Sequence, residues 1–111
     1  MLSEKKNTVS EAICPVTHCM KMIGGKWKPI IIYLIRKGGN RFGVLSRGIE
    51  GISKQMLTEN LRELERDGVI TRTVFAEVPP RVEYAVSAYG QTLMPIIDAM
   101  SAWGLADMKK Q

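Results

Sequence analysis

At Gly68 the spacing of apolar residues changes, and that change limits what the chain can fold into. Before it, Leu57, Leu61 and Leu64 stand four and three residues apart, which places them on one stripe of a helix. After it, in VITRTVFAEVPPRVEYAVS, Val82, Tyr84 and Val86 are interleaved with Glu83 and Ala85. This period of two predicts a two-stranded hairpin with Pro79-Pro80 at its tip and arginines beside it. A hairpin alone is marginal in water, so it must pack on helices. The fold class that follows is mainly α with a small β-hairpin.

The helical half carries its own punctuation. In ISKQMLTENLRELERDG, residues 52–68, Ser53 fits an N-cap, and Ile52 with Leu57 forms a hydrophobic staple across it. Gly68 is the stop, because glycine enters the left-handed region without a Cβ clash. Earlier, Val16, Cys19, Met20 and Ile23 recur at helical spacing, with Pro15 at the first helical position and Gly24-Gly25 ending the run. The six apolar residues from Ile30 could form a strand. Pro29 in front and Arg36-Lys37 behind favour a buried helix. Phe42, Leu45 and Ile49 mark a further short helix, and Gly51 separates it from the cap at Ser53. After the hairpin, Ser87 is a candidate cap for a last helix with Leu93, Ile96, Ile97, Met100 and Trp103 on one stripe. Pro95 is expected to kink that helix, and the chain beyond Trp103 to fray.

A chain of 111 residues with 45% hydrophobic content suits one compact domain. Its expected extent is 13–104, with a flexible arm over 1–12 and a tail over 105–111. No apolar run approaches the roughly 20 residues of a membrane span, and MLSEKKNTVSEA lacks the apolar stretch of a signal peptide. A cytoplasmic location is therefore expected, with no membrane partner. Cys14 and Cys19 then read as thiols rather than a structural disulfide.

Charge is unevenly spread. Residues 21–54 hold eight basic groups (Lys21, Lys26, Lys28, Arg36, Lys37, Arg41, Arg47 and Lys54) against one acid, Glu50, so this third of the chain carries +7 of a net +5 overall. Such concentration is the footprint of a nucleic-acid binder, because lysine and arginine displace counterions condensed on phosphates. The element order, three helices, a glycine turn within the last pair, a fourth helix and a hairpin, is that of a winged helix-turn-helix. There the second helix of the turn pair enters the major groove and the wing reaches the flanking backbone. The helix face opposite the leucines suits that task. Gln55 can pair with adenine, Arg62 with guanine, Thr58 can touch a thymine methyl, and Glu59 can accept from cytosine.

Several segments, CPV, IGGKW, RFGVL, GISKQMLTENLRELERDGVITR, VPPRVEYAVSAYG and AMSAWG, together resemble the HxlR-type family of bacterial winged-helix transcription regulators over residues 14–104. The resemblance implies a homodimer on a pseudo-palindromic operator of double-stranded DNA, with a stress signal or metabolite as a small-molecule effector. By position it puts Ser53, Lys54, Gln55, Thr58 and Arg62 in the recognition helix and Arg72 and Arg81 in the wing. Arg41, in the basic segment, is counted with these DNA contacts. Ser87 and Ala88 depart from the Thr-Pro pair that often opens the family's last helix, which alters a cap.

Two further expectations concern assembly and control. Val16, Met20 and Ile23 on the first helix, with Leu93, Ile96, Ile97, Met100 and Trp103 on the last, offer more apolar surface than so small a domain covers alone. They are expected to form a two-fold interface that spaces two recognition helices about one DNA turn apart. Part of each stripe must also serve the protomer's core. Cys14 stands before Pro15 at a helix start, where free amides and the helix dipole favour a thiolate. In some members of the resembling family the cysteine of the CPV segment senses oxidants or electrophiles, which implies the same for Cys14. The alternative is a structural cysteine beside the cap.

Other chemistries fit poorly. GGKW lacks the glycine at Met20 and the hydroxyl at Trp27 that a phosphate-binding loop needs, and Trp27 reads as a core anchor. Cys14, His18 and Cys19 lack a second ligand cluster, so no metal or other cofactor is assigned. A single histidine and no nucleophile elbow argue against an enzyme. The remaining competitor is a winged helix used for protein interaction or RNA binding, since the fold does not fix its use.

Overall fold

The computed structural model describes residues 14–110. The expected arm over 1–12 lies outside them. Helices α1 (Pro15–Ile23), α2 (Lys28–Arg36), α3 (Phe42–Gly48) and α4 (Lys54–Arg66) precede the strands β1 (Ile70–Phe75) and β2 (Arg81–Val86), followed by α5 (Ala88–Gln91) and α6 (Met94–Lys109). The strands pair antiparallel, with Ile70 opposite Val86 and Val74 opposite Val82. This is a winged helix-turn-helix.

The isoleucine-rich run is a helix, α2, with Pro29 in its first turn. Its Ile31, Ile32 and Ile35 meet Leu45 and Ile49 from the α3 region and Leu57, Leu61 and Leu64 of α4 in one core. Ile52 packs against that core, of which the fully buried Leu57 is a member, as a staple across Ser53 requires. Gly51 at φ 87° makes the turn between α3 and α4, and Gly68 at φ 78° ends α4. Both are in the left-handed region open to glycine. The hairpin is held on one side by Val69 and Ile70, which are buried, with Tyr84 and Val86 against the same core. At its outer edge the Tyr84 amide donates to the Asn40 carbonyl at 2.9 Å.

The last segment differs from its expected form in three ways. Ser87 caps only the short α5, accepting from the Gly90 amide at 2.9 Å, and the chain turns before α6 begins. Pro95 therefore lies in the first turn of α6, where its missing N–H is no loss, and kinks nothing. The helix also runs past Trp103 to Lys109, because a glycine at 104 weakens a helix without ending it and Leu105 and Met108 extend the apolar pattern. Residues 105–109 are thus helix, where a tail was expected.

Part of the apolar surface assigned to a dimer interface belongs to the protomer. Ile23, Leu93 and Ile97 are buried in its own core, because α1 and α6 each turn one edge of their stripe inward. Val16, Met20, Ile96, Met100 and Trp103 are exposed, the last to 70%. Trp27 is half-buried against the core.

The corner from β2 to α5 has little room. The Ser87 hydroxyl donates to the Val69 carbonyl at 3.0 Å, and a Cβ on Gly90 would stand 2.1 Å from that carbonyl oxygen. Gly90→Ala should lower stability by about 1–3 kcal/mol through overpacking, and Ser87→Ala by about 1 kcal/mol through loss of the cap. Urea unfolding of the two variants beside wild type measures both.

Candidate nucleic-acid interface

Ser53 spends its hydroxyl on the Met56 amide at 3.0 Å and so fixes where α4 starts. The next residue, Lys54, is exposed, and the first turn holds no acid. A lysine there opposes the helix dipole, which favours anions at that end. An anion approaching from outside meets free amides and an ammonium together.

The outward face of α4 is as the spacing implied. Gln55, Glu59 and Arg62 are exposed. Gln55 Nε2 donates to Glu59 Oε2 at 3.3 Å, which partly satisfies that carboxylate. Thr58 Oγ1 donates to the Lys54 carbonyl at 2.8 Å, so its donor is engaged within the helix while the methyl and the hydroxyl acceptor remain.

Between α4 and the wing lies a cleft of about 420 Å³, lined by Phe42, Thr58, Arg62, Glu65, Arg72 and Tyr84. Arg62 and Arg72, from different elements, are thus brought to one place. A second, shallower groove of about 470 Å³ runs between α3 and the wing and is lined by Arg41, Arg47, Pro80 and Val82 among others. Arg47 and Tyr84 were not singled out from sequence. Gly43, four residues before Arg47, leaves that side chain room, since a Cβ there would stand 3.2 Å from the guanidinium, a relation that only the folded helix shows.

Arg81 is placed differently. Its guanidinium pairs with Glu77 at 3.0 Å and with Glu83, and lies 3.9 Å from the centre of the Phe75 ring. The Glu77 hydrogen bond, ahead of the other contacts, raises its pKa further. Arg81 therefore braces the wing tip with its charge compensated, apart from the Arg62–Arg72 cleft.

The +7 segment is likewise partly consumed by the fold. Lys28 pairs with Glu63 at 2.7 Å and Arg36 with Asp98 at 2.8 Å. The hydrogen bond from Lys28 is the main reason the Glu63 carboxyl is held below its usual range. Lys26 and Lys37 lie over the rings of Trp27 and Tyr33. Arg41, Arg47 and Lys54 are exposed on the helix-turn-helix.

At the other end of the chain, Cys14 is the residue before α1 and is half-buried. The backbone amides of Thr17 and then Val16, in the first turn of α1, hold its thiol pKa below the ordinary value. Cys19 is a second free thiol, packed against the core. Among the described residues no three metal-ligating side chains cluster, and no helix is long and apolar enough to cross a membrane.

These features meet a known pattern, since residues 22–111 match the model of the HxlR-like helix-turn-helix family. The chain belongs to that family. Its members are transcriptional regulators, not enzymes. The HTH-type transcriptional regulator YybR of Bacillus subtilis strain 168 is 45% identical over 104 residues, 93% of this chain and 83% of YybR. The redox regulator HypR in its oxidised form superposes with a TM-score of 0.81 at 45% identity, covering 84% of this chain and 96% of HypR. The reduced form of the regulator YodB of B. subtilis superposes at 0.69 with 32% identity, over 82% and 90% of the two chains.

Proposed function

We propose that this HxlR-family chain acts as a homodimeric regulator that binds a pseudo-palindromic operator, with Cys14 as a thiol that reports oxidants or electrophiles. The observation that carries the DNA-binding part is the cleft in which Arg62 of α4 and Arg72 of β1 converge beside an uncovered polar helix face. Gln55 and Arg62 take base edges in the major groove. Lys54, Arg72, Arg41 and Arg47 take phosphates, and Arg81 keeps the wing in shape. A protein-interaction module would be expected to expose an apolar patch there instead. Replacing Gln55 or Arg62 with Ala should cost roughly 1–3 kcal/mol on the preferred sequence and relax preference at one position. Arg72→Ala should weaken all sequences alike and reduce the salt slope by about one. Selection of duplexes by each purified variant measures this, and three variants indistinguishable from wild type would remove α4 and the wing as the reading surface.

The dimer rests on the exposed residues of α1 and α6. Val16 and Met20 stand out from one, and Met100, Trp103, Leu105 and Met108 from the other. Beside them α2 and α6 enclose an open apolar groove of about 600 Å³, with Ile30, Leu34, Met100 and Leu105 in its lining. A patch of this kind marks a contact surface. Sedimentation at micromolar concentration should give a dimer, and Trp103→Glu should shift it toward monomer. A monomeric wild type is the contrary result.

Support for the redox part comes from the lowered thiol pKa of Cys14 at the start of α1 and from HypR, a relative named as a redox regulator. YodB is also known in a diamide-treated form, and oxidation on a dimer-forming helix could misalign the two recognition helices. The thiolate reacts, so reactivity is present above the folded pKa and is lost as pH falls through it. Because that pKa is lowered, diamide or quinone should act on operator binding with a midpoint below that of an ordinary thiol, and Cys14→Ser should abolish the response. A Cys14→Ser variant that responds like wild type would make Cys14 structural.

A further inference from the structure

Lys28 is the one charged residue among the described residues that is buried, at 8% exposure. It opens α2, and its ammonium meets the Glu63 carboxylate on α4. The residue before it, Trp27, lies against the turn, with its ring 3.9 Å from where a Cβ on Gly51 would be. Residues 27 and 28 therefore bear on the helix-turn-helix at two points, the turn and the C-terminal half of the recognition helix.

An ion pair between a buried Lys28 and a Glu63 side chain that is 46% exposed is a weak source of stability, because desolvation of the lysine and solvent screening at the carboxylate offset their attraction. What it adds is direction. The leucine stripe beneath α4 fixes which face of the helix is inside, but through a non-directional force that sets rotation over the last few degrees only loosely. A charged hydrogen bond 2.7 Å long tolerates little change in distance or angle. At roughly 100° per residue, Glu63 is about 140° around the helix from Thr58. Thr58 and Arg62 line the cleft to the wing, so Lys28 grips the opposite flank. With side chains reaching about 5–6 Å from the axis, a roll of 10° moves their tips by about 1 Å, more than a recognition site tolerates.

We infer that Lys28 is a positioning residue for DNA reading: its ion pair with Glu63 sets the rotation of α4 and hence the aim of Gln55, Thr58 and Arg62. This rests on the reading of α4 as the DNA-reading helix. The test compares wild type with Lys28→Met, Lys28→Arg and Glu63→Gln on a duplex selected by the wild-type protein and on a scrambled duplex of equal length. Lys28→Met should keep or raise the melting temperature, since a similar apolar side chain replaces a buried charge and the Glu63 carboxylate left behind, 46% exposed, is solvated. Its preference for the selected duplex should fall roughly three- to thirtyfold, with affinity for the scrambled duplex unchanged. Lys28→Arg should recover part of the preference. Glu63→Gln, read at a temperature where its circular dichroism matches wild type, should lose preference as Lys28→Met does, so the inference is tested even if one variant folds poorly. Unchanged preference in a folded Lys28→Met or Glu63→Gln overturns the inference alone. A wild type that prefers no duplex overturns the DNA-reading assignment and this inference with it.

Discussion

Leu57, Leu61 and Leu64 lose nearly all contact with water against the isoleucines of α2. Burying each stabilises the fold by about 1.5–3 kcal/mol, which is large beside the 5–15 kcal/mol that typically separates folded from unfolded domains. Because three residues of one stripe are fixed inside, the residues opposite are fixed outside. Gln55, Glu59 and Arg62 are exposed as a consequence of where the leucines go, and the chemistry of that outer face can vary without touching the core. The hairpin depends on the same core, since Val69 and Ile70 join it directly and Tyr84 and Val86 lean on it.

The basic charge divides by what it faces. Where a lysine or arginine meets a carboxylate or an aromatic ring of the fold, as Lys28, Arg36 and Arg81 do, its contribution to an outward field is reduced. Arg62 and Arg72 instead meet across an open cleft. Net charge in a segment thus indicates the kind of partner, whereas the pairing of each cation decides which surface that partner touches.

The helix-turn-helix and the hairpin were legible because a glycine stop, a serine cap and a change of period each act over a few residues. Pro95 was misjudged for a related reason: a proline inside an apolar helical pattern reads as a kink unless the helix start just before it is known, and that start depends on Ser87 and Gly90 folding back on Val69. The inward turn of Ile23, Leu93 and Ile97 was hidden likewise, since periodicity shows a stripe but not how much of its width neighbouring helices cover. At the candidate site, residues within α4 were readable from spacing alone. The convergence of Arg62 with Arg72 joins residues ten apart in sequence on two different elements, and the pairing of Arg81 depends on how the hairpin closes. Neither has a local signature.

The Val69–Ser87–Gly90 corner also governs where the chain can change length. Residues 76–80 at the wing tip are exposed, and their side of the hairpin carries none of the core. Insertions there add little closure entropy, since doubling a loop costs about 0.6 kcal/mol. At the corner behind the hairpin, the close approach of Gly90 to Val69 and the hydroxyl of Ser87 leave no slack. One added residue would separate the end of β2 from the start of α5 and carry α6 away from α2 with it. A sequence tag or reporter loop introduced into this protein therefore belongs between Ala76 and Pro80, and a length change between Val86 and Gly90 is the one that would detach the wing from the last helix.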